Sequence, residues 1–495
     1  MPSAFQSRFL APVVFLLLAG VVACLAINSQ SLWIDEAQTA LKAIPPTLHG
    51  LWQALDSEHN SNLQLPLYML YIWGWARLFG VSEVALRAAN IPWFFVGLLA
   101  ILRCLRHRPG LRNATLLVYC LHPFIWYYLD EARPYLMQLS GALLVAGSVL
   151  TALDEEEQPL SASWWWHFGA GFAILCGAGL LGVPWAVALL LPLLCHPGFR
   201  KSMLRSGLPA LVLFLPLLVL LALYFAWTIK ENISAGYRPM NISSTASVFY
   251  DQLGFMGLGP GRATLRPVSL IDSNTDLSSL YPYLLPLSLL GLPLACGLLL
   301  AAFRRFGLSP ARFIVALLLA AGPTALIFAL GYVHHVRILG RHLTPLFPFI
   351  LLAQACTLLL LWKSGCLLGR AAAALILVAL TVSSLEIRFA PRHFKDDNRS
   401  AAAAANQSLA QGKTVWWAAS QECAQYYHLP IDLTSDHPGM ARYVTGVPAS
   451  FTALPNQIFL SKPDLFDASG DLSAFVAAHH YHIEGSFQAF TVWGK

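Results

Sequence analysis

Charge is what this chain has least of. Only 11% of its 495 residues are Asp, Glu, Lys or Arg, and 57% are hydrophobic. A soluble domain carries about 25% charged residues. That shortage, with a mean hydropathy of +0.59, excludes a soluble multidomain protein and leaves a polytopic membrane protein. Cysteine offers no framework either. Of nine cysteines, eight (Cys24, Cys104, Cys120, Cys176, Cys195, Cys296, Cys356 and Cys366) lie in or beside apolar runs, Cys423 stands alone, and no CxxC pair occurs. This excludes a disulfide scaffold and a zinc knuckle. There is no GxxxxGK[ST] loop, no GxGxxG fingerprint and no tandem repeat of about 20–50 residues. The net charge of +6 comes from basic residues scattered between apolar runs, which is not the footprint of a nucleic-acid binder.

What is present is a series of apolar runs. Residues 9–27 meet the ~20-residue requirement for a bilayer span. Arg8 precedes them and no small-residue cleavage site followed by a soluble domain comes after, so they read as a retained helix rather than a signal peptide. The spans expected are 9–27, 84–105, 113–128, 134–152, 164–181, 183–195, 208–228, 279–302, 313–331, 342–361 and 371–389, about eleven in all. With the N-terminus inside, the basic loops around Arg103–Arg112, Arg200–Arg205, Arg304–Arg312 and Lys363–Arg370 all face the cytoplasm, as basic loops do. The acidic loop Asp154–Glu157 joins them without conflict, since carboxylates contribute little to orientation. Segments 28–83, 229–278 and 390–495 then lie outside. Segment 66–79, apolar and aromatic but short, reads as a helix at the outer interface.

Composition changes after residue 389, dividing the chain into a transmembrane part, 1–389, and a small outer α/β domain, 390–495. Asp397-Asn398 is suited to cap a helix through the alanines 401–405. Residues 414–419 and 457–460 read as strands, 471–480 as a helix, and 482–494 as one or two closing strands.

Three polar clusters fall at the outer ends of spans. The first is Trp33-Ile34-Asp35-Glu36, directly after the first span, followed by Asp56, Glu58, His59, Asn60, Asn62 and Gln64. Asp56 and Glu58 fit a solvated loop as well as they fit a site. Asp35 at a membrane surface needs a partner or a shifted pKa, and a carboxylate held there can take a proton from an attacking alcohol. The second cluster is Asp130-Glu131-Ala132-Arg133-Pro134-Tyr135, where an aromatic belt with an incidental ion pair is the plainer alternative. The third runs from His334 to His342. A helix there would bring Arg337 and Arg341 to one face, suited to bidentate phosphate binding. Snorkelling explains one such arginine less awkwardly than two. A divalent metal on the three histidines stays open, although HHxxxxxxH is not in itself a ligand spacing. Carboxylates beside a phosphate-sized basic site, all outside, suggest a reaction on a lipid phosphate ester.

The runs SLWIDEAQTALKA, LPLYMLYIWGWARLFGVSEVALRAANIP, YYLDEARPYLMQL and GRHLTPLFPFILL resemble, in this order over residues 8–362, the bacterial members of glycosyltransferase family 39. These are GT-C enzymes related to protein O-mannosyltransferases and to the lipid A aminoarabinose transferase. The resemblance implies a GT-C fold in a bacterial inner membrane, with the site facing the periplasm. It implies inverting transfer of a sugar from polyprenyl phosphate to a hydroxyl of an envelope glycan, lipid or protein. Asp35 would be the catalytic base with Glu36 beside it. Asp130 would share in catalysis, with Glu131 and Arg133 adjoining, and Arg341 would contact the donor phosphate with Arg337 and His342 near it. His59 and Asn60 occupy the family's polar turn. This chain has Gln64-Leu65-Pro66 where many relatives have a Pro-Pro pair, and it lacks the Glu-Lys-Pro-Pro metal turn of the aminoarabinose transferase, so no metal is carried over. A transporter or flippase of lipid-linked sugars is the alternative. It does not need two outer carboxylate pairs, and transporters place polar residues near the midplane.

Overall fold

The computed structural model describes residues 4–57, 61–154, 159–231, 240, 242–259, 310–435, 437–451 and 453–495. The expected span 279–302 lies outside them. Most of the rest is helical. The first helix, α1 (Ala4–Ala26), is followed by four short helices: α2 (Ile34–Ala43), α3 (Leu48–Asp56), α4 (Pro66–Phe79) and α5 (Glu83–Ala88). Then come α6 (Asn90–Cys104), α7 (Pro109–Leu121), α8 (Pro123–Leu129), α9 (Tyr135–Asp154), α10 (Ala162–Ala178), α11 (Gly182–Leu194), α12 (Pro197–Met203), α13 (Leu208–Lys230) and α14 (Ile242–Gln252). After the undescribed stretch follow α15 (Pro310–Val333), α16 (Phe347–Lys363) and α17 (Leu367–Phe389).

Among the described residues, six helical runs are long and apolar enough to cross a membrane, or seven if the pair α11 and α12, bent by 96°, counts as one broken span. This is a multi-pass membrane protein. Two of the eleven expected spans are interrupted for local reasons. The expected span 113–128 is two helices, because Pro123 removes a backbone donor and holds His122 extended (φ −79°, ψ 127°). The run 183–195 ends at the bend before Pro197. Segment 66–79, expected as an interfacial helix rather than a span, forms α4, whose 14 residues rise only about 21 Å, short of a bilayer core of about 30 Å.

The bundle has two unlike ends. Helix α16, 17 residues long and thus about 25 Å, separates Arg341 before it from Lys363 at its end. Lys363 lies against Gly110 at the start of α7, so the basic loops 103–112 and 363–370 share one end. The motifs around Asp35, Asp130 and Arg341 share the other. Between the ends, helices pack closely where glycines allow it. A Cβ at Gly141 of α9 would stand 2.6 Å from the Leu175 backbone nitrogen of α10. Val212, Leu213, Leu220 and Leu223 of α13 point outward, as side chains meeting lipid tails do.

The C-terminal segment builds a six-stranded sheet in the order β2-β3-β1-β4-β6-β5. The strands are β1 (Val415–Ala418), β2 (Ile431–Asp432), β3 (Ala441–Tyr443), β4 (Gln457–Ser461), β5 (His482–Phe487) and β6 (Phe490–Gly494). β1 pairs parallel with β3 and β4, and β6 runs antiparallel to β4 and β5. β1 and β4 are buried throughout, the reason that β1 and the centre of β4, Ile458–Leu460, are apolar without alternation. Val415 and Trp417 face the alanine-rich helix α18 (Asn398–Ala410). Trp416 and Ala418 face the opposite layer with Phe475 of the helix Asp471–Ala478. Asp397 caps α18 as expected, accepting from the Ser400 N–H at 3.1 Å. The short strands β2 and β3 and the helix α19 (Gln421–Tyr426) are additions to the elements read from sequence.

Gly141→Ala is expected to cost about 1–3 kcal/mol by overpacking against backbone. Gly20→Ala, with nothing within 4 Å of the added carbon, should be neutral or slightly stabilising. Thermal melting followed by fluorescence-detected size exclusion compares the two. Equal melting would refute the close α9–α10 approach.

Candidate functional site

Helix α2 begins where the loop after α1 ends. Trp33 is its extended N-cap (φ −89°, ψ 172°). Glu36, at the third helical position, reaches back to the Trp33 N–H at 3.4 Å, half of a capping box. Successive helical residues are rotated by about 100°, so Asp35 and Glu36 point in different directions and meet different surroundings.

Glu36 turns inward and is fully buried. It receives Arg87 Nε at 3.0 Å and Nη2 at 2.8 Å, Lys395 Nζ at 3.1 and 3.2 Å, and the Ala132 N–H at 3.0 Å. Asp130 completes the cluster, accepting from the Asn28 backbone at 2.8 Å and the Asn28 side chain at 2.7 Å. Lys395 Nζ stands 3.5 Å and Arg87 Nε 3.8 Å from its carboxylate. Arg87 also bonds the carbonyls of Asn28, Gln30 and Ser31 at 3.0, 2.7 and 3.2 Å, fixing the approach to α2. Two cations thus balance two carboxylates in a buried space, where an unpaired charge would be very costly. Burial alone would push the Glu36 carboxyl up. Arg87 and Lys395 outweigh it and hold it at about 2.

Asp35 turns the other way and is about a quarter exposed, with Arg341 Nη1 3.2 Å from its carboxylate. Arg341 lies over the rings of Trp33, at 5.5 Å, and Tyr135, at 6.0 Å. Arg133 donates to the Asp35 carbonyl at 3.3 Å, Thr39 Oγ1 at 3.0 Å and Asn62 Oδ1 at 2.7 Å. Glu131 is buried and close enough to act on Arg341 electrostatically. His342 accepts the Leu339 N–H on Nδ1 at 3.1 Å. Burial raises the Asp35 pKa, but Arg341, Arg133 and Lys462 outweigh it, and the carboxyl sits below its ordinary value. The Tyr68 hydroxyl, Arg133 Nε and Arg341 Nε are buried without a hydrogen-bond partner among the described residues.

The predicted residues therefore separate into two groups. Asp35, Glu131, Arg133, Arg341 and His342 gather around one polar site. Glu36 and Asp130 lie behind it in the buried ion cluster. His59 and Asn60 fall outside the described residues. Arg337 and Arg341 do not share a helix face, contrary to the i, i+4 expectation. Helix α15 ends at Val333, with His335 left-handed (φ 52°) and the Val336 N–H closing on the Gly331 carbonyl at 2.9 Å, a C-terminal cap that stops the helix before Arg337. Arg337 instead acts on Asp251 of α14, whose carboxyl burial pushes up to about 7. His334 and His335 are exposed, and among the described residues no group of three His, Cys, Asp or Glu side chains is placed to hold a metal ion.

Tyr68, Arg87, Asp251 and Lys395 were not singled out from sequence. Arg87 had a usable signal, since a charge inside an apolar run demands a partner. Lys395 had none, because its partners lie hundreds of residues away.

No family model matches the sequence, and no curated protein matches it. Solved structures do match. The chain is similar to ArnT from Cupriavidus metallidurans in the apo state, with 14% identity over 97% of both chains and a TM-score of 0.51. It is similar also to the same protein bound to undecaprenyl phosphate, again with 14% identity over 97% of both chains and a TM-score of 0.50. At this identity the likeness is one of fold, and it extends from end to end.

Because the Glu36 pKa is lowered on folding, its contribution to stability is fully present above about pH 4.5 and is lost as pH falls towards 2. It amounts to on the order of 3 kcal/mol. Acid titration of unfolding should show this loss in the wild type and not in Glu36→Gln, which should already be destabilised at neutral pH by about 3–5 kcal/mol, as expected when one partner of a buried pair is removed. Parallel acid curves would refute the assignment.

Proposed function

We propose that the protein transfers a sugar from a polyprenyl-phosphate donor to an acceptor hydroxyl at the outer surface of a bacterial inner membrane, with inversion. The observation that carries this reading is the Asp35–Arg341 pair, a carboxylate 3.2 Å from a guanidinium at one end of a bundle of apolar helices. Such a pair offers a proton acceptor and a phosphate ligand within one sugar's breadth. The ArnT structure with undecaprenyl phosphate supports it, since a protein of this fold holds that class of lipid.

In the proposed reaction the donor phosphate takes Arg341 away from Asp35, with His342 beside it. The freed carboxylate, no longer neutralised, accepts the hydroxyl proton as the acceptor oxygen bonds to the anomeric carbon. The bond from that carbon to the phosphate oxygen breaks, and polyprenyl phosphate leaves with its charge balanced by Arg341. Glu131, Arg133 and Tyr68 border the space for the sugar. Asp130 and Glu36 hold the reacting segments in place rather than meeting substrate.

The two ends of the bundle support one orientation. The loops carrying Arg103–Arg112 and Lys363–Arg370 share one end, which the positive-inside rule assigns to the cytoplasm. The site and the outer domain, 390–495, then face the periplasm. Acceptors fitting this placement are envelope glycans, lipids or exported proteins. A flippase would need no base at Asp35.

Purified protein given a synthetic polyprenyl-phosphate sugar tests the chemistry. Asp35→Asn should lower transfer by roughly 10²–10⁴-fold, and unaltered turnover would return the flippase to first place. Arg341→Ala should weaken donor use far more than Lys363→Ala, and Arg341→Lys should rescue little. Equal loss from the two alanine variants would remove the phosphate role. For orientation, Ser450→Cys in intact spheroplasts should react with an impermeant thiol reagent. Protection until permeabilisation would overturn the topology.

A further inference from the structure

Lys395 takes no part in the chemistry above, yet it is one of the most constrained charges in the protein. It lies just past α17, at the entry to the sheet-forming segment, and its side chain is 5% exposed. Its ammonium bonds both oxygens of Glu36 and the backbone carbonyl of Asp130. Glu36 is the next residue after the proposed base. Ala132, which also bonds Glu36, is the residue before Arg133. Lys395 therefore joins the turn carrying Asp35 to the loop carrying Glu131 and Arg133.

The attachment extends into the sheet unit. Tyr427 accepts the Leu32 N–H at 2.8 Å and donates to Glu83 at 3.0 Å. Asn398 donates to the Leu32 carbonyl at 3.0 Å. Gln38 of α2 donates to Glu422 at 2.9 Å, and Ile34 packs into the apolar layer around Trp416. Residues 32, 34, 36 and 38 of the turn and helix that present Asp35 are thus each held from the C-terminal segment.

We propose that Lys395 is a positioning residue, which couples docking of the C-terminal sheet unit to alignment of Asp35 with Glu131 and Arg133. Lys395 supplies the second positive charge that lets Glu36 and Asp130 stay ionised side by side. Without it two carboxylates face one arginine, and their repulsion drives apart the two segments that carry the reacting groups. Arg341 comes from a different stretch of chain and is not held by this cluster, so the hold on the donor's phosphate, the main anchor of the lipid, is spared. The kinetic part of this inference rests on Asp35 being the base; the structural part does not.

The test uses the full-length protein in lipid nanodiscs. Lys395→Met should lower kcat by roughly 10²-fold, the scale of a misplaced catalytic group, while KM for a synthetic polyprenyl-phosphate sugar changes little. Hydrogen exchange should speed up in residues 28–36 and 130–133 and stay unchanged in β1 and β4. The double variant Glu36→Gln/Lys395→Met restores the charge balance. It should recover the melting temperature of the wild type more fully than Lys395→Met does, but not its kcat, because the link between the segments is still missing. Normal turnover in Lys395→Met overturns the proposal, as does a double variant with full kcat, or exchange that rises in the sheet itself or nowhere. If the wild type transfers no sugar, the proposed function fails, and the exchange experiment still decides the coupling.

Discussion

Everything in the site depends on a buried quartet of charges. Glu36, Asp130, Arg87 and Lys395 come from four separated stretches of chain, and their mutual distances leave no charge unanswered. A buried ion cluster is an expensive way to join segments, and a set of well-packed apolar side chains of similar volume would often be as stable. What charges offer in exchange is direction. Arg87 meets three carbonyls and a carboxylate in one plane, and such a fork accepts only one arrangement of the loop before α2. An apolar cluster would tolerate sliding that such a fork does not.

The neighbouring pair Asp35-Glu36 shows how two identical functional groups acquire different duties. One helical residue of rotation sends Glu36 into a dry, doubly cationic pocket, where it is locked as an anion. It leaves Asp35 about a quarter exposed, with Arg341 against its carboxylate. Both carboxyls lie below their ordinary pKa, but only Asp35 keeps part of its surface exposed.

Much of this was legible in the sequence because membranes make composition strict. Hydropathy located the helices, and the placement of WIDEA and LDEAR at helix ends located the polar site. The cap at Asp397 and the strands around Val415 and Gln457 followed from local rules. The failures were of two kinds. Local geometry defeated the expectation at His122-Pro123, where a proline broke an apolar run, and at His334–Arg341, where a helix cap separated two arginines assumed to share a face. Distance defeated it at Lys395 and Tyr427. Their partners lie 359 and 395 residues away, and no periodicity or motif in a single sequence records such a pairing.

That separation also bears on how the protein is made. Glu36, next to Asp35, leaves the ribosome 359 residues before Lys395, which follows only after α17. Chain segments acquire structure as they emerge, but here the turn before α2 waits with Glu36 unpaired by its lysine until those 359 residues have been made. The ion cluster behind the proposed site is completed only when the residues after α17 arrive. A nascent or prematurely terminated chain can therefore occupy the membrane as a helical bundle without yet owning a finished site.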